Sequence, residues 1–281
     1  MKIRKKVLLL ISLTLIGLIT IVLGTVSTII LNSFRKLEAE ETKKNLQRLQ
    51  GFLDEEIQEL NAISKDWGGW DDTYFFVQNQ DPQYIENNIY ADIFENLKLN
   101  LFLLYNKNLD LALNSTYNLG SQQLEQAQPE LLLELQQKEH LLRFTDDRGE
   151  TKGFIILNEH LYFIVLRPIL DSASQGPNQG TIVMARIIDA NKIKELEHHT
   201  KLSINIHHLS ELSENLQSIY HDLYQDENEF ESLLEIKNQH IISGFILLRD
   251  IEYKPIALLE IDSRRDIYKR GNQAVFSWFF H

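Results

Sequence analysis

The sequence predicts an α+β protein in which an N-terminal transmembrane helix runs into a long helix and then an antiparallel sheet with flanking helices. Three observations carry this. A charge-free apolar run follows a basic N-terminus, leucines beyond it recur every seven residues, and the remaining chain holds paired stretches of alternating apolar residues separated by turn chemistry.

The chain opens MKIRKK, and no charged residue occurs from Val7 to Leu31. A run of about 25 residues crosses a hydrocarbon layer of about 30 Å as a helix. Lys2, Arg4, Lys5 and Lys6 hold their end in the cytoplasm by the positive-inside rule, so the chain beyond the run is exported. Gly24, Thr25 and Ser27 are small enough for a cleavage site. The run exceeds the about 7–15 residues of a signal-peptide core, however, and an anchor is expected over residues 1–33.

Residues 34–66 read as a membrane-proximal helix. Leu46, Leu53 and Leu60 form a sevenfold stripe with Leu49, Ile57 and Ile63 beside it, and Gly51 is its weak point. Such a stripe buries against its own domain or pairs with a second copy, which would make a homodimer.

The stretch DWGGWDD then ends the helix. Gly68 and Gly69 break it, Trp67 and Trp70 are expected as packing anchors, and Asp71 or Asp72 as the cap of the next turn, TYFFVQN. A direct ligand role for Trp70, Asp71 or Tyr74 is the alternative. Asp81-Pro82 marks a turn, followed by a helix over Tyr84–Leu97.

Leu99, Leu101 and Leu103 alternate towards Tyr105, and Leu109, Leu111 and Leu113 alternate after Asn106-Lys107-Asn108, which predicts a hairpin. Ser121–Glu139 is helix-prone. Gly153–Leu157 and Leu161–Leu170 form a second hairpin around Asn158-Glu159-His160, and the loop Asp171–Gly180 leads to a fifth strand, Thr181–Ile188. Asp189 is placed to cap a helix to about Thr200. A smaller unit comes after it: a strand through Leu202, Ile204 and Ile206, a helical region to about Lys237, and two strands joined at Ile251-Glu252.

The net charge of -12 and the absence of a basic face exclude a nucleic-acid partner, and the lack of cysteine removes disulfides, thiolate metal sites and cysteine nucleophiles together. No GxSxG, HExxH, Walker or dinucleotide glycine motif occurs, so no catalytic residue is assigned and no enzymatic activity is expected of this chain. No metal site and no cofactor is assigned: His198-His199 and His207-His208 are read as solvated pairs, and Asp66, Asp71 and Asp72 lack the spacing of a calcium loop. Arg167 and Arg186 lie in apolar strands, where each pairs with a core carboxylate or clamps an anionic ligand. Tyr74, Tyr84, Tyr90 and Tyr105 are core aromatics or pocket walls.

The order of DWGGWDDTYFF, RPIL, GPNQG, MARIID and a closing IEYKPIALLEIDSRRDIYKRG resembles the CHASE extracellular sensory domains, type four, over about Leu37–Gly271. The residues that carry it are Trp67, Trp70, Asp71, Asp72 and Tyr74 with Gly69, Arg167, Pro168, Ile169, Gly176, Pro177, Gly180 and Arg186. The resemblance implies a Cache/PAS-like fold and a periplasmic or extracellular input domain, 67–271, held in the cytoplasmic membrane between two transmembrane helices. The family feeds cyclic-di-GMP enzymes or histidine kinases, and its input here would be an unknown small molecule or a periplasmic protein. Residues 272–281, apolar from Ala274 to Phe280, are accordingly read as the first turns of a second transmembrane helix, the other reading being an interfacial end with Trp278 and Phe279 at the headgroups. The alternative function is a membrane-anchored binding or scaffold protein without cytoplasmic output.

Overall fold

A computed structural model describes residues 2–144, 149–174, 176–225 and 232–279, with the side chains of Lys2, Ala274 and 276–279 outside the description. Gln175 of the Asp171–Gly180 loop, 226–231 of the expected helical region, and Phe280 and His281 at the expected second span also lie outside it.

One helix, α1 (Lys2–Gly68), joins the apolar run to the leucine stripe without a break. It is long and apolar enough to cross a membrane. At 1.5 Å per residue its part beyond Leu31 reaches about 55 Å. The expected boundary between a membrane-proximal segment and a separate domain at 66/67 has no counterpart, because Leu46, Leu49, Leu53, Ile57 and Leu60 are all buried in the main core. The stripe is satisfied by its own domain.

After α1 come α2 (Asp71–Asn79), α3 (Pro82–Asn88) and α4 (Ala91–Asn96). The single helix expected over Tyr84–Leu97 is two, because buried Ile89 caps α3 and Tyr90 is extended, at φ -142° and ψ 160°. Next are β1 (Leu101–Asn106), β2 (Leu111–Asn118), β3 (Gln123–Glu125), α5 (Pro129–Gln137), α6 (Glu139–Leu142), β4 (Thr151–Leu157), β5 (His160–Pro168) and β6 (Gly180–Ile187). The strands form a six-stranded antiparallel sheet in the order β3-β2-β1-β6-β5-β4. The β4–β5 hairpin turns on Asn158 and Glu159, both at positive φ as a two-residue I′ turn requires. Gly180 has no room for a side chain, since a Cβ would strike the Tyr105 carbonyl of the neighbouring strand.

Helix α7 (Ala190–Thr200) leads to a second sheet of β7 (Ser203–His208), β8 (Leu233–Ile236), β9 (Ile241–Arg249) and β10 (Pro255–Arg264), ordered β7-β10-β9-β8, with a 3-10 turn at Leu209–Glu211 and α8 (Glu214–Gln225) between β7 and β8. Asp189 caps α7 as expected, accepting from the Lys192 amide. Two strands depart from the sequence pattern. Both β3, inside the expected Ser121–Glu139 helix, and β8, inside the helical region to Lys237, are sheet edges of three and four residues with no buried residue, too short to show a strand pattern.

The two sheets stack along α1. Thr42 and Leu46 touch Gly244 of the second sheet, while Gly68 meets Ile182 of the first. The chain returns through α9 (Asp266–Phe279), which packs back along α1 with the Phe34 ring against Gly271.

Candidate functional site

The residues of the motif converge at the C-terminal end of α1. Gly69 donates its amide to Lys65 and ends the helix, and the Gly68 carbonyl accepts from Leu170 just beyond Pro168, itself buried at the end of β5. Asp71 and Asp72 are not caps. Trp70 occupies the N-cap position of α2 without a side-chain bond, and Asp71 instead accepts from the amide and hydroxyl of Ser172, both at 2.9 Å. Those two bonds hold the Asp71 carboxyl below the ordinary carboxylate range. Asp72 is exposed, on the wall of a shallow cavity of about 220 Å³.

The Tyr74 hydroxyl meets the Pro177 carbonyl and the Gln179 amide, both at 3.4 Å, and a Cβ on Gly176 would fall 2.7 Å from that oxygen. The motif is thus a joint between the top of α1 and the β5–β6 loop. Tyr84 and Tyr105 are core residues, whereas Tyr90 is exposed.

Trp67 packs edge-on to Phe102 of β1 at 5.2 Å and to Trp70 at 5.6 Å, while Trp70 remains 38% exposed. The anchor role therefore belongs to Trp67. Truncating Trp67 to alanine is expected to cost about 3 kcal/mol and Trp70 about 1 kcal/mol, read from denaturant midpoints at unchanged slope.

Both arginines hold α1. Arg167 of β5 reaches Asn61 at 2.9 Å and Glu150, which also takes Lys152 at 2.6 Å. Arg186 of β6 is 2% exposed and bonds Glu56 at 3.1 Å, Glu59 at 3.0 Å and the Leu97 carbonyl at 2.9 Å. Lys192 of α7 adds a 2.7 Å bond to Glu56 and a 3.1 Å bond to Glu195.

This network backs a cavity of about 430 Å³ at the waist, where α7 passes from one sheet to the other. Arg186, Lys192, Lys98, Asn100, Glu95 and Tyr117 are among its walls. Arg186 is thus the one predicted ligand residue that both lines a sizeable cavity and grips α1. Trp70, Asp71, Tyr74 and Arg167 lie on other surfaces.

Glu56, Glu59, Lys98, Lys192 and Glu195 were not singled out from the sequence. A signal existed: Glu56 stands on the buried stripe, three residues after Leu53 and four before Leu60. His207 is only partly solvated, for it pairs with buried Glu260 at 2.8 Å.

The hydrogen bond from Arg186 holds the Glu59 carboxyl below its ordinary range; burial opposes this, and the charges of Arg186, Lys98 and Lys192 assist it. A carboxyl lowered in the folded state contributes stability above its unfolded value that is lost as pH falls through the folded one. Glu59→Gln is expected to lower the melting temperature at neutral pH, with the gap to the unmodified protein closing below about pH 4 in a pH series of thermal melts.

The CHASE4 family model matches residues 52–207, more than half of the chain. The chain belongs to the CHASE4 family. It is a sensory domain, and its role is signal input. A curated relative, the methanogenesis regulatory histidine kinase FilI of Methanothrix harundinacea (strain 6Ac), is 24% identical over 225 residues, which are 80% of this chain and 24% of the relative. The chain therefore spans about a quarter of that relative's length.

Among solved structures, the extracellular domain of the histidine kinase candidate vpHK1S-Z8 superposes with a TM-score of 0.59 at 12% identity, covering 85% of this chain and 95% of the other. A domain of a sensory box/GGDEF family protein from Vibrio parahaemolyticus gives 0.54 at 11% identity, covering 85% and 99%. Both share this CHASE4 domain's fold: an antiparallel sheet with flanking helices set against a long helix.

Proposed function

We propose that this CHASE4 chain is the extracytoplasmic input module of a receptor anchored in the cytoplasmic membrane, itself without catalytic activity, and that occupation of the waist cavity changes how α1 is held relative to α9. The observation that carries the reading is the double duty of Arg186, on the cavity wall and on Glu56 and Glu59 of α1. A ligand shifts such a system only by its differential affinity for two arrangements, and a residue shared by pocket and helix is where the difference arises.

At the other end Glu38 of α1 forms a buried ion pair at 2.9 Å with Arg265, the residue just before α9, which lies 4.4 Å over the Tyr268 ring of that helix. A small displacement of α1 is therefore felt by α9. Resemblance to a histidine kinase sequence and to the fold of a GGDEF-family protein supports an effector of one of these two classes on the cytoplasmic side.

The chain has no cysteine, so cysteines introduced at exposed Lys36 on α1 and Lys269 on α9 give a unique spin-label pair in the full chain in nanodiscs. Arg186→Lys is expected to change the label separation by about 1–2 Å. An unchanged distance distribution in a folded variant would remove the coupling.

A further inference from the structure

We infer that the waist cavity takes a small zwitterion, its carboxylate directed to Arg186 and Asn100 and its ammonium to Glu95. This rests on the reading of the cavity as the input site and adds the chemistry of the ligand.

The charge inventory decides against a ligand of one sign. Lys98, Arg186 and Lys192 on the wall are matched by Glu95, Asp189 and Glu195, and Glu56 and Glu59 stand directly behind Arg186. A simple anion would enter a region where carboxylates outnumber cations, and each of those cations already serves at least one of them. A simple cation would leave the donors of the wall without an acceptor.

Those donors are specific. The Arg186 Nε–H is buried and has no partner among the described residues, a costly condition for a guanidinium donor. Asn100 uses its side-chain oxygen on the Ile187 amide, which leaves its NH₂ for a ligand acceptor. On the acid side Asp189 and Glu195 are each held by two donors, but Glu95 is engaged only by the Tyr117 hydroxyl among the described residues. An ammonium group fits that carboxylate. Phe94 and Leu99 give the apolar floor against which a short aliphatic body lies.

The same chemistry supplies the link to α1. The Arg186 Nε–H is shielded from solvent and unpartnered among the described residues, so a ligand carboxylate would reach it only by turning the guanidinium. Of its two carboxylate partners Glu59 is the one released, being 54% exposed where Glu56 is 16% exposed. An exposed carboxylate rehydrates at small cost.

The test is calorimetric titration of the full chain in nanodiscs with β-alanine, 4-aminobutyrate and 5-aminovalerate against butyrate and butylamine, which carry one charged end each. At least one of the three zwitterions is expected to bind about tenfold or more tightly than both single-ended compounds, as one charge-assisted hydrogen bond implies. Glu95→Gln, an exposed substitution that preserves the melting temperature, is expected to abolish that advantage. Butyrate or butylamine binding as tightly as the best zwitterion overturns the proposal, and so does the absence of binding by all five to the folded protein. The spin-label pair separates this from the coupling itself. Glu95-dependent zwitterion binding without a change in label distance keeps the ligand class and removes the coupling. A distance that answers Arg186→Lys in a protein that binds no zwitterion does the reverse.

Discussion

Arg186→Met is expected to cost about 3–5 kcal/mol of folding free energy and to lower the melting temperature by about 10 °C. Removing one member of a buried ion pair leaves the other charges without compensation, and that penalty exceeds what the pair contributes net. Here the substitution strips Glu56 of one of its two cations and deprives the Leu97 carbonyl of its donor. Glu59 loses a partner too, but its exposure lets water replace it. Methionine retains the apolar volume, so the loss reports the electrostatic clamp rather than a cavity. Arg167→Met is the control, because its partner Glu150 is more accessible than Glu56 and keeps Lys152. That variant is expected to lose about 1 kcal/mol. Equal losses from the two arginines, measured by parallel thermal and urea denaturation, would show that Arg186 has no special place in holding α1.

The contrast between the two arginines also shows what the sequence made legible. An arginine in an apolar strand signals a partner, and both partners proved to be carboxylates or amides of the long helix and its neighbours. The pattern could not choose the partners, because helix and strand lie more than 100 residues apart. Hairpins, the Asp189 cap and the end of α1 at Gly68 followed from local chemistry, which sequence displays directly. Strands β3 and β8 did not, since these two short edge strands bury no residue and so lack a run of core-facing apolar positions.

Most of the waist was hidden for a related reason. Its acids and bases look like ordinary surface charge until the helix register is followed. Glu38, Thr42, Asn45, Leu49, Leu53, Glu56 and Leu60 then fall on one stripe at steps of four and three, and the polar members of that stripe are the contacts that tie α1 to β9, β10, α9 and the cavity. A charged residue on a buried stripe marks where α1 is tied to its surroundings, whereas at the tryptophan-rich corner Asp71 positions the β5–β6 loop through Ser172.

The leucine stripe leads to the second large effect. Leu53→Asp is expected to unfold the domain or reduce its stability by at least about 4 kcal/mol, combining the lost burial of a leucine with an unpaired carboxylate in the core. Leu53 is 3% exposed and belongs to the main cluster with Leu49, Ile57 and Leu60, so it faces its own sheets and not a second copy. A coiled-coil seam would predict something different: a folded monomer after the substitution, with only assembly lost. Leu37, on the same helix but 52% exposed, is the natural comparison, and Leu37→Asp is expected to change stability by less than about 0.5 kcal/mol. Urea denaturation gives the stability of each variant and light scattering its mass. A Leu53→Asp protein that stays folded and only changes mass would return the stripe to an intermolecular role. Loss of folding at Leu53 with none at Leu37 makes α1 a core element of the sensory domain, so that any input which repacks the core moves the long helix itself.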